Sequence, residues 1–503
     1  MKPVIRTQRR GAAHTRSCAR AAQLAALLAA LAACGSGEQT VPAAADAAAP
    51  HAAPHERVIL LVVFDALHAD HLSHLGYERA TTPNLDRLAS DGISFSNCFS
   101  PAPYTRAGIP SILTGRLPDH HGVTGGGAVL ARGETTIAEL FAERDLPTRA
   151  AIANLNGSEI YALDQGFIEF RNHMLVEEGR SADITLGENS FHQPSADEFT
   201  ARVRGWLDTD ANGPAFYYLH YLEPHPPFDP PPEYRKRWID PAYDGIFASG
   251  ITKYLIQETK GEIEASEADR AAVRALYDAS LAYADAQFGD VLDELRTRGL
   301  YDDAWIVVTS DHGEAMWQHG EFGHNLQLFD EMLNVPLIVK PPKGVAARSR
   351  IEPALVSTLD ILPSLVEWCG LGAPLEPIDG RALTPLLAPD PTLGGAAFDD
   401  GTRELILRTH EDVPDLALRT NRDKTIVLRG PNGGVRALEH YDLVRDPRER
   451  ENVANMHPDV ARARSVRLRD WFAGAAARQL PRDSIELSEA QALLLERLGY
   501  KAE

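Results

Sequence analysis

Asp65 closes an unbroken apolar run, Val58-Ile-Leu-Leu-Val-Val-Phe64, and Ser310-Asp311-His312-Gly313-Glu314 closes another, Trp305-Ile-Val-Val-Thr309. A third run, Phe216-Tyr-Tyr-Leu219, leads into His220 and then Glu223-Pro224-His225-Pro226. Short aliphatic and β-branched runs of this kind read as buried parallel strands. In open α/β sheets, ligands bind beyond the carboxyl ends of the strands. Two carboxylates and several imidazoles would therefore share one rim. Carboxylate oxygens with imidazole nitrogens form a donor set for a hard or borderline divalent cation. Plainer readings stand beside this one. The plainer alternative for Asp65 is a turn acid and for Asp311-His312 a helix N-cap pair, and His220 reads more readily as a satisfied core histidine.

The elements that must position these residues follow from the rest of the pattern. Pro336-Leu-Ile-Val339 reads as a fourth buried parallel strand. Thr82-Pro83-Asn84 starts a helix, with a hydroxyl at the N-cap and proline in the first turn, and Gly92 stops it. Ser195-Ala-Asp-Glu198 has the spacing of a capping box before an amphipathic segment. Residues 268–298 form a long amphipathic pattern with Leu276, Leu281, Phe288, Val291 and Leu295 on one side. Strands alternating with helices imply an α/β fold, a mostly parallel central sheet flanked by helices. From about residue 400 the texture changes to short runs at 404–408, 416–419, 425–428 and 438–443, with turn residues such as Pro431-Asn-Gly-Gly434 between them. A helical stretch over 458–475 follows. The expected division is a catalytic domain over 58–399 and a smaller C-terminal α+β subdomain over 400–503 with a helical tail.

At 503 residues the chain can bury a large core, and its formal net charge is −21. A surface that acidic repels phosphate backbones and anionic headgroups, which argues against a nucleic-acid partner. Residues 1–34 contain Lys2, Arg6, Arg9, Arg10, Arg16 and Arg20 and no acid. An apolar run from Ala21 to Ala33 follows, too short to span a bilayer as a folded helix. That order describes an export signal, and its end, Leu31-Ala32-Ala33-Cys34-Gly35, looks like a bacterial lipobox. Residues 1–34 are thus expected to be a lipoprotein signal peptide, and 35–57, rich in Ala and Pro, a flexible tether. The protein would be exported, facing the periplasm or cell exterior, and would touch a membrane only through a lipid anchor. Cys98 and Cys369 are no disulfide framework, and Cys98 reads as a small buried hydrophobe. His68, His71, His74, His120 and His121 fit neither one helix face nor a zinc finger and read mainly as loop polarity.

An ordered set of short motifs resembles the sulfatase family of the alkaline phosphatase superfamily. The set comprises Asp65-Ala-Leu-His-Ala-Asp-His71, Thr82-Pro-Asn-Leu-Asp-Arg-Leu-Ala89, Ser111-Ile-Leu-Thr-Gly115, Glu223-Pro-His-Pro-Pro227, Thr309-Ser-Asp-His-Gly-Glu314, Phe322-Gly-His324 and Val335-Pro-Leu-Ile-Val339. Asp360-Ile-Leu-Pro363, Asp379-Gly-Arg381 and Tyr441-Asp-Leu443 continue it. The resemblance implies an alkaline-phosphatase-like fold and makes Asp65, Asp311 and His312 metal ligands. It puts Thr105 at the nucleophile position, where its hydroxyl would also touch the metal. It makes His225 and His324 the histidines that contact the transferred group, with Arg106 as a further charge-neutralising residue. One divalent metal ion is implied, and the His ligand favours zinc or manganese over calcium or magnesium.

Two departures from the family pattern shape the expected chemistry. Sulfatases oxidise a Cys or Ser within Cys/Ser-x-Pro-x-Arg to formylglycine, whereas this chain reads Thr105-Arg-Ala-Gly-Ile109. Threonine cannot undergo that conversion. Phe64 stands where many sulfatases have an acid before the first ligand. The set Asp65, Thr105, Asp311 and His312 instead resembles the single-metal site of threonine-using phosphoethanolamine and lipoteichoic-type transferases and related phosphodiesterases. The expected activity is metal-dependent hydrolysis of a sulfate or phosphate ester of a small molecule, glycan or lipid headgroup. A phosphoryl-headgroup transferase and a catalytically inactive, glycan-binding family member are the alternatives.

Overall fold

In a computed structural model, the described residues run from 57 to 495, apart from 126, 175–183, 187–188, 192–194, 249–260, 325–326, 346–348, 389–397, 399–400, 411–412, 482–483, 489–490 and 493–494. The expected signal peptide and nearly all of the tether lie outside these residues. Among those described, no helix is long and apolar enough to cross a membrane.

The large sheet contains β1 (Val58–Phe64), β2 (Ile93–Phe99), β3 (Thr148–Ile152), β4 (Glu169–Asn172), β5 (Ala215–Tyr221), β6 (Trp305–Ser310), β7 (Asn334–Lys340), β8 (Arg350–Glu352) and β9 (Val356–Ser357). Its order is β8-β2-β7-β6-β1-β5-β3-β4, with β9 also pairing β2. Every pairing is parallel except the two made by β7, which runs against both neighbours. The expectation of a parallel strand at 336–339 is thus corrected. The reason is the connection: among the described residues of 311–333 there is no crossover helix able to carry the chain back across the sheet. A strand buried on both faces shows the same apolar run in either direction.

Every residue of β1 is buried, and its side chains alternate between two cores. Leu60, Val62 and Phe64 face one side with α1 (Pro83–Ser90), α3 (Asp197–Thr209) and α4 (Glu267–Thr297). Ile59, Leu61 and Val63 face the other with α2 (Thr105–Thr114) and α5 (Ile361–Cys369). A parallel sheet covered on both faces results, as the unbroken run implies. Phe64 lies in this core, stacked on Tyr221 at 5.1 Å and edge-on to Phe288 at 5.9 Å.

Two helix starts differ from their sequence reading. Thr82 precedes α1, but its hydroxyl bonds to Asp86 Oδ1 at 3.0 Å, and the first-turn amides of Asn84 and Leu85 donate to Asp285 of α4 at 3.0 and 2.8 Å. The expected capping box at 195–198 is not formed, because Glu198 turns away to His173 Nδ1 at 3.0 Å. A four-stranded antiparallel sheet follows in β10 (Leu405–Arg408), β11 (Leu416–Arg419), β12 (Asp423–Arg429) and β13 (Val435–Asp442), with α6 (Pro458–Ala475) against it through Leu468 and Phe472. Leu405, Leu407, Ala417 and Ile426 of the small sheet share a core with Phe99 and Leu333. Cys98 and Cys369 are buried and free.

The histidines expected to be loop polarity are pins instead. His68, His71, His120 and His121 are buried. His71 bonds Asp278 at 2.8 Å, His74 bonds Asp86 at 3.0 Å, His120 bonds Asp379 at 2.7 Å and His121 bonds Ser111 at 3.1 Å. Burial selects such pairing, since an unpaired imidazole nitrogen loses its water without compensation.

Candidate active site

Strand register brings the ligand candidates level. Phe64 pairs with Tyr221 on one side and with Ser310 on the other. The next residues along, Asp65 and Asp311, therefore leave the sheet at the same height. Both are fully buried, as are His312 and Thr105. Donor atoms of Asp65, Asp311 and His312 all lie within 4.8 Å of one another. His312 Nε2 is 3.5 Å from Asp65 Oδ1 and 3.6 Å from Asp311 Oδ2. Those two carboxylate oxygens have no hydrogen-bond partner among the described residues. His312 Nδ1 donates to its neighbour's carbonyl, Gly313 O, at 2.8 Å, which leaves Nε2 as the lone-pair nitrogen facing the carboxylates.

A divalent cation fits this arrangement. Two buried carboxylate oxygens without donors, converging on an imidazole lone pair, lack only positive charge. The proton equilibria express the same need. Burial and then the Asp65 charge push the Asp311 carboxyl up. Burial also pushes Asp65 up, but the imidazoles of His225, His220 and His312 outweigh it and hold the group low. Burial pushes His312 down, and the Asp311 and Asp65 carboxylates more than reverse this.

Thr105 opens α2, with Tyr104 at the N-cap, and its Oγ1 is 3.3 Å from His312 Nε2. The approach is close because Gly108, one turn along the helix, presents a bare backbone to Asp311. A Cβ there would fall 2.5 Å from Asp311 O. The first-turn amides of α2 also point their positive ends toward this region, which favours an anion.

His225 and His324 complete an imidazole cluster. The His324 ring centroid lies 4.5 Å from His312 and 5.1 Å from His225, and the latter is 6.4 Å from His312. His225 Nδ1 donates to Pro226 O at 2.6 Å, and burial pushes this imidazole down to about 4. His324 is pushed well below its ordinary value, by burial and then by His312. The Arg106 guanidinium lies 3.0 Å from His410 Nε2 and over the Tyr161 ring at 5.5 Å.

Asn154, Glu314 and His410 were not singled out as site residues from sequence, and His220 was read there mainly as a core histidine. Asn154, beyond the end of β3, donates its side-chain amide to Asp65 Oδ2. His220 is fully buried, with Nε2 3.2 Å from the same oxygen, so its structural role is to support a ligand. Glu314 lies 3.2 Å from His324 Nδ1 through both oxygens, and burial pushes its carboxyl up to about 7. His410 enters from the C-terminal sheet. Glu314 was readable from its place in the Asp-His-Gly-Glu run. Asn154 follows a short, polar-interrupted strand that gives little signal.

The sulfatase family model matches residues 57–371. An arylsulfatase of Clostridium perfringens is 24% identical over 457 residues, covering 79% of this chain and 90% of that protein. The multifunctional alkaline phosphatase superfamily protein PehA of Trinickia caryophylli is 27% identical over 408 residues, covering 66% and 77% respectively. Among solved structures, the phosphonate monoester hydrolase of Agrobacterium radiobacter superposes with a TM-score of 0.64 at 22% identity, covering 86% of this chain and 98% of its own. BT4656, solved in complex with its substrate D-glucosamine-2-N,6-O-disulfate, gives 0.66 at 19% identity, with coverages of 84% and 98%. The chain belongs to the sulfatase family, within the alkaline phosphatase superfamily, and is a sulfatase-like ester hydrolase. Enzymes of this family bind a divalent metal, and Asp65, Asp311 and His312 are the residues here that could hold it.

Proposed function

We propose that this protein hydrolyses a sulfate, phosphate or phosphonate ester of a glycan, lipid headgroup or small molecule, with Thr105 as the nucleophile. The observation carrying this reading is the Thr105 hydroxyl at 3.3 Å from His312 Nε2, beside two carboxylate oxygens that have no donors. Asp65, Asp311 and His312 hold one divalent ion, with zinc or manganese favoured by the imidazole donor. Such an ion lowers the pKa of a nearby hydroxyl and offsets charge on the transferred group.

Thr105 Oγ attacks sulfur or phosphorus in line, forming a threonine ester as the bond to the leaving oxygen breaks. Its hydroxyl proton passes to His324 or His225, which returns it to that oxygen. Water then attacks the threonine ester, releasing sulfate, phosphate, a phosphate monoester or a phosphonate according to the substrate, and restoring the hydroxyl. Arg106 and the first turn of α2 neutralise the anion during both steps. The relatives named for arylsulfatase and phosphonate monoester hydrolase support the substrate range. The lipobox-like Leu31-Ala-Ala-Cys34 supports an exported, lipid-anchored location.

The test is a panel of nitrophenyl sulfate, phosphodiester and phosphonate monoester, assayed with metal and with chelator. Asp311→Ala and Thr105→Ala should each lower turnover by about 10³-fold or more. Full activity of Thr105→Ala on every ester would remove threonine from the mechanism.

A further inference from the structure

Asp65 and Asp311 leave different strands, and their buried like charges repel. The turn after Asp65 ties them together. Ala66 has φ 59°, a left-handed conformation strained for a residue with a Cβ. From that turn the Ala66 amide donates to Asp311 Oδ1 at 3.3 Å. The next amide, Leu67, donates to Ser310 Oγ at 2.9 Å, and that hydroxyl donates to His312 O at 2.6 Å. The turn thus touches both halves of the Asp311-His312 pair.

The turn is held from its other side by α4. The Tyr277 hydroxyl donates to the Ala66 carbonyl at 2.9 Å and accepts the His68 amide at 3.1 Å. Tyr277 is fully buried, and its ring packs on His71 at 4.6 Å and Phe228 at 5.8 Å. Removing only the hydroxyl would leave the Ala66 carbonyl and the His68 amide buried without this partner, an expensive state that the turn can relieve by leaving the left-handed region.

We propose that Tyr277 is a positioning residue for the cation site: its hydroxyl latches Ala66 in the left-handed turn whose amide aims the Asp311 carboxylate, and so sets affinity for the divalent ion. The proposal rests on reading Asp65, Asp311 and His312 as the ligands. Outer hydrogen bonds that orient a ligand commonly account for a 10–100-fold difference in metal affinity.

Tyr277→Phe keeps the ring and drops both bonds. Competition of the purified full-length protein with a chromogenic chelator for Zn²⁺ should show it binding roughly 10–100-fold more weakly than the parent. The rise in melting midpoint on adding Zn²⁺ should shrink accordingly, because the stabilisation follows the affinity. Glycine adopts positive φ without strain, so Tyr277→Phe should lose less affinity in an Ala66→Gly background than alone. Equal Zn²⁺ affinity of Tyr277→Phe and the parent would overturn the latch, as would the same loss in both backgrounds. Asp311→Ala tests the ligands apart from the latch: if it binds Zn²⁺ like the parent, the ligand assignment itself falls.

Discussion

Gly108 lies against Asp311 so closely that a Cβ on it would sit 2.5 Å from the Asp311 carbonyl oxygen and 3.1 Å from Asp311 Cβ. The missing side chain is what lets α2 carry Thr105 to His312. Gly108→Ala favours the helix by propensity, yet here it must push α2 from the Asp311 loop. A displacement of about 1 Å between reacting groups can cost about 10²-fold in rate, and overpacking costs about 1–3 kcal/mol. Steady-state kinetics and urea melts of Gly108→Ala should therefore show activity falling by about 10²-fold, out of proportion to a modest stability loss. Unchanged kcat would mean that the helix can yield without moving Thr105.

Much of this site was legible because its physics is local. An apolar run that ends in a carboxylate announces both a buried strand and the rim where Asp65 and Asp311 emerge. The reverse direction of β7 was not legible, since burial on both faces erases any trace of strand polarity. Nor could the pattern show that Tyr277, in the middle of a 31-residue helix, reaches the turn at Ala66. Its apolar ring fits the helix's buried face whether or not the hydroxyl has work elsewhere. The histidines at 68–74 and 120–121 were misread for a related reason. Asp278, the partner of His71, and Asp379, the partner of His120, lie more than 200 residues away in sequence.

In the proposed mechanism His324 takes and returns a proton; its Nδ1 lies 3.2 Å from both Glu314 oxygens and its ring 4.5 Å from that of His312. If it protonates the leaving oxygen, its value depends on how much that oxygen needs a proton. His324→Gln should slow cleavage of an alkyl ester by about 10²–10⁴-fold, the usual range for general acid–base catalysis. A nitrophenyl ester, whose phenolate leaves unaided, should lose less than about tenfold on the same reasoning. Parallel assays of the two ester types decide it: equal losses would assign His324 to binding the anion, with the proton carried elsewhere.

Asp379 ties three segments together, accepting from the Leu117 amide at 2.8 Å, His120 Nδ1 at 2.7 Å and Arg478 Nη1 at 2.7 Å. Burial pushes its carboxyl up, but His120 and Arg478, with the Leu117 amide, outweigh this and hold it below the ordinary range. A carboxyl lowered by folding contributes stability that is present above its unfolded pKa, about 3.9, and is lost as pH falls toward the folded value. Asp379→Asn should cost about 1–3 kcal/mol near neutral pH, the scale of hydrogen bonds to a charged group. The gap between parent and variant should hold from pH ~7 to ~5 and narrow below pH ~4. Urea melts across that range test the sign, and a gap that widened in acid would refute the assignment.

Phe64 occupies the place where many relatives of the resembling family have an acid, and its surroundings show why one substitution would not restore it. The ring is fully buried, stacked on Tyr221 at 5.1 Å with an interplanar angle of 10°, and edge-on to Phe288 of α4. Its side chain belongs to the core that also holds Leu60, Val62 and Leu219, and no cation could reach it without repacking that layer. Phe64→Leu should cost less than Phe64→Ala, which should lose about 3–5 kcal/mol through the cavity it leaves. Phe64→Asp should be worse than either, since it adds an unpaired charge to the same void. Thermal melts with and without Zn²⁺ distinguish the outcomes. If added metal rescued the stability of Phe64→Asp but not of Phe64→Ala, position 64 would be within reach of the ion and the one-carboxylate strand end described here would be wrong.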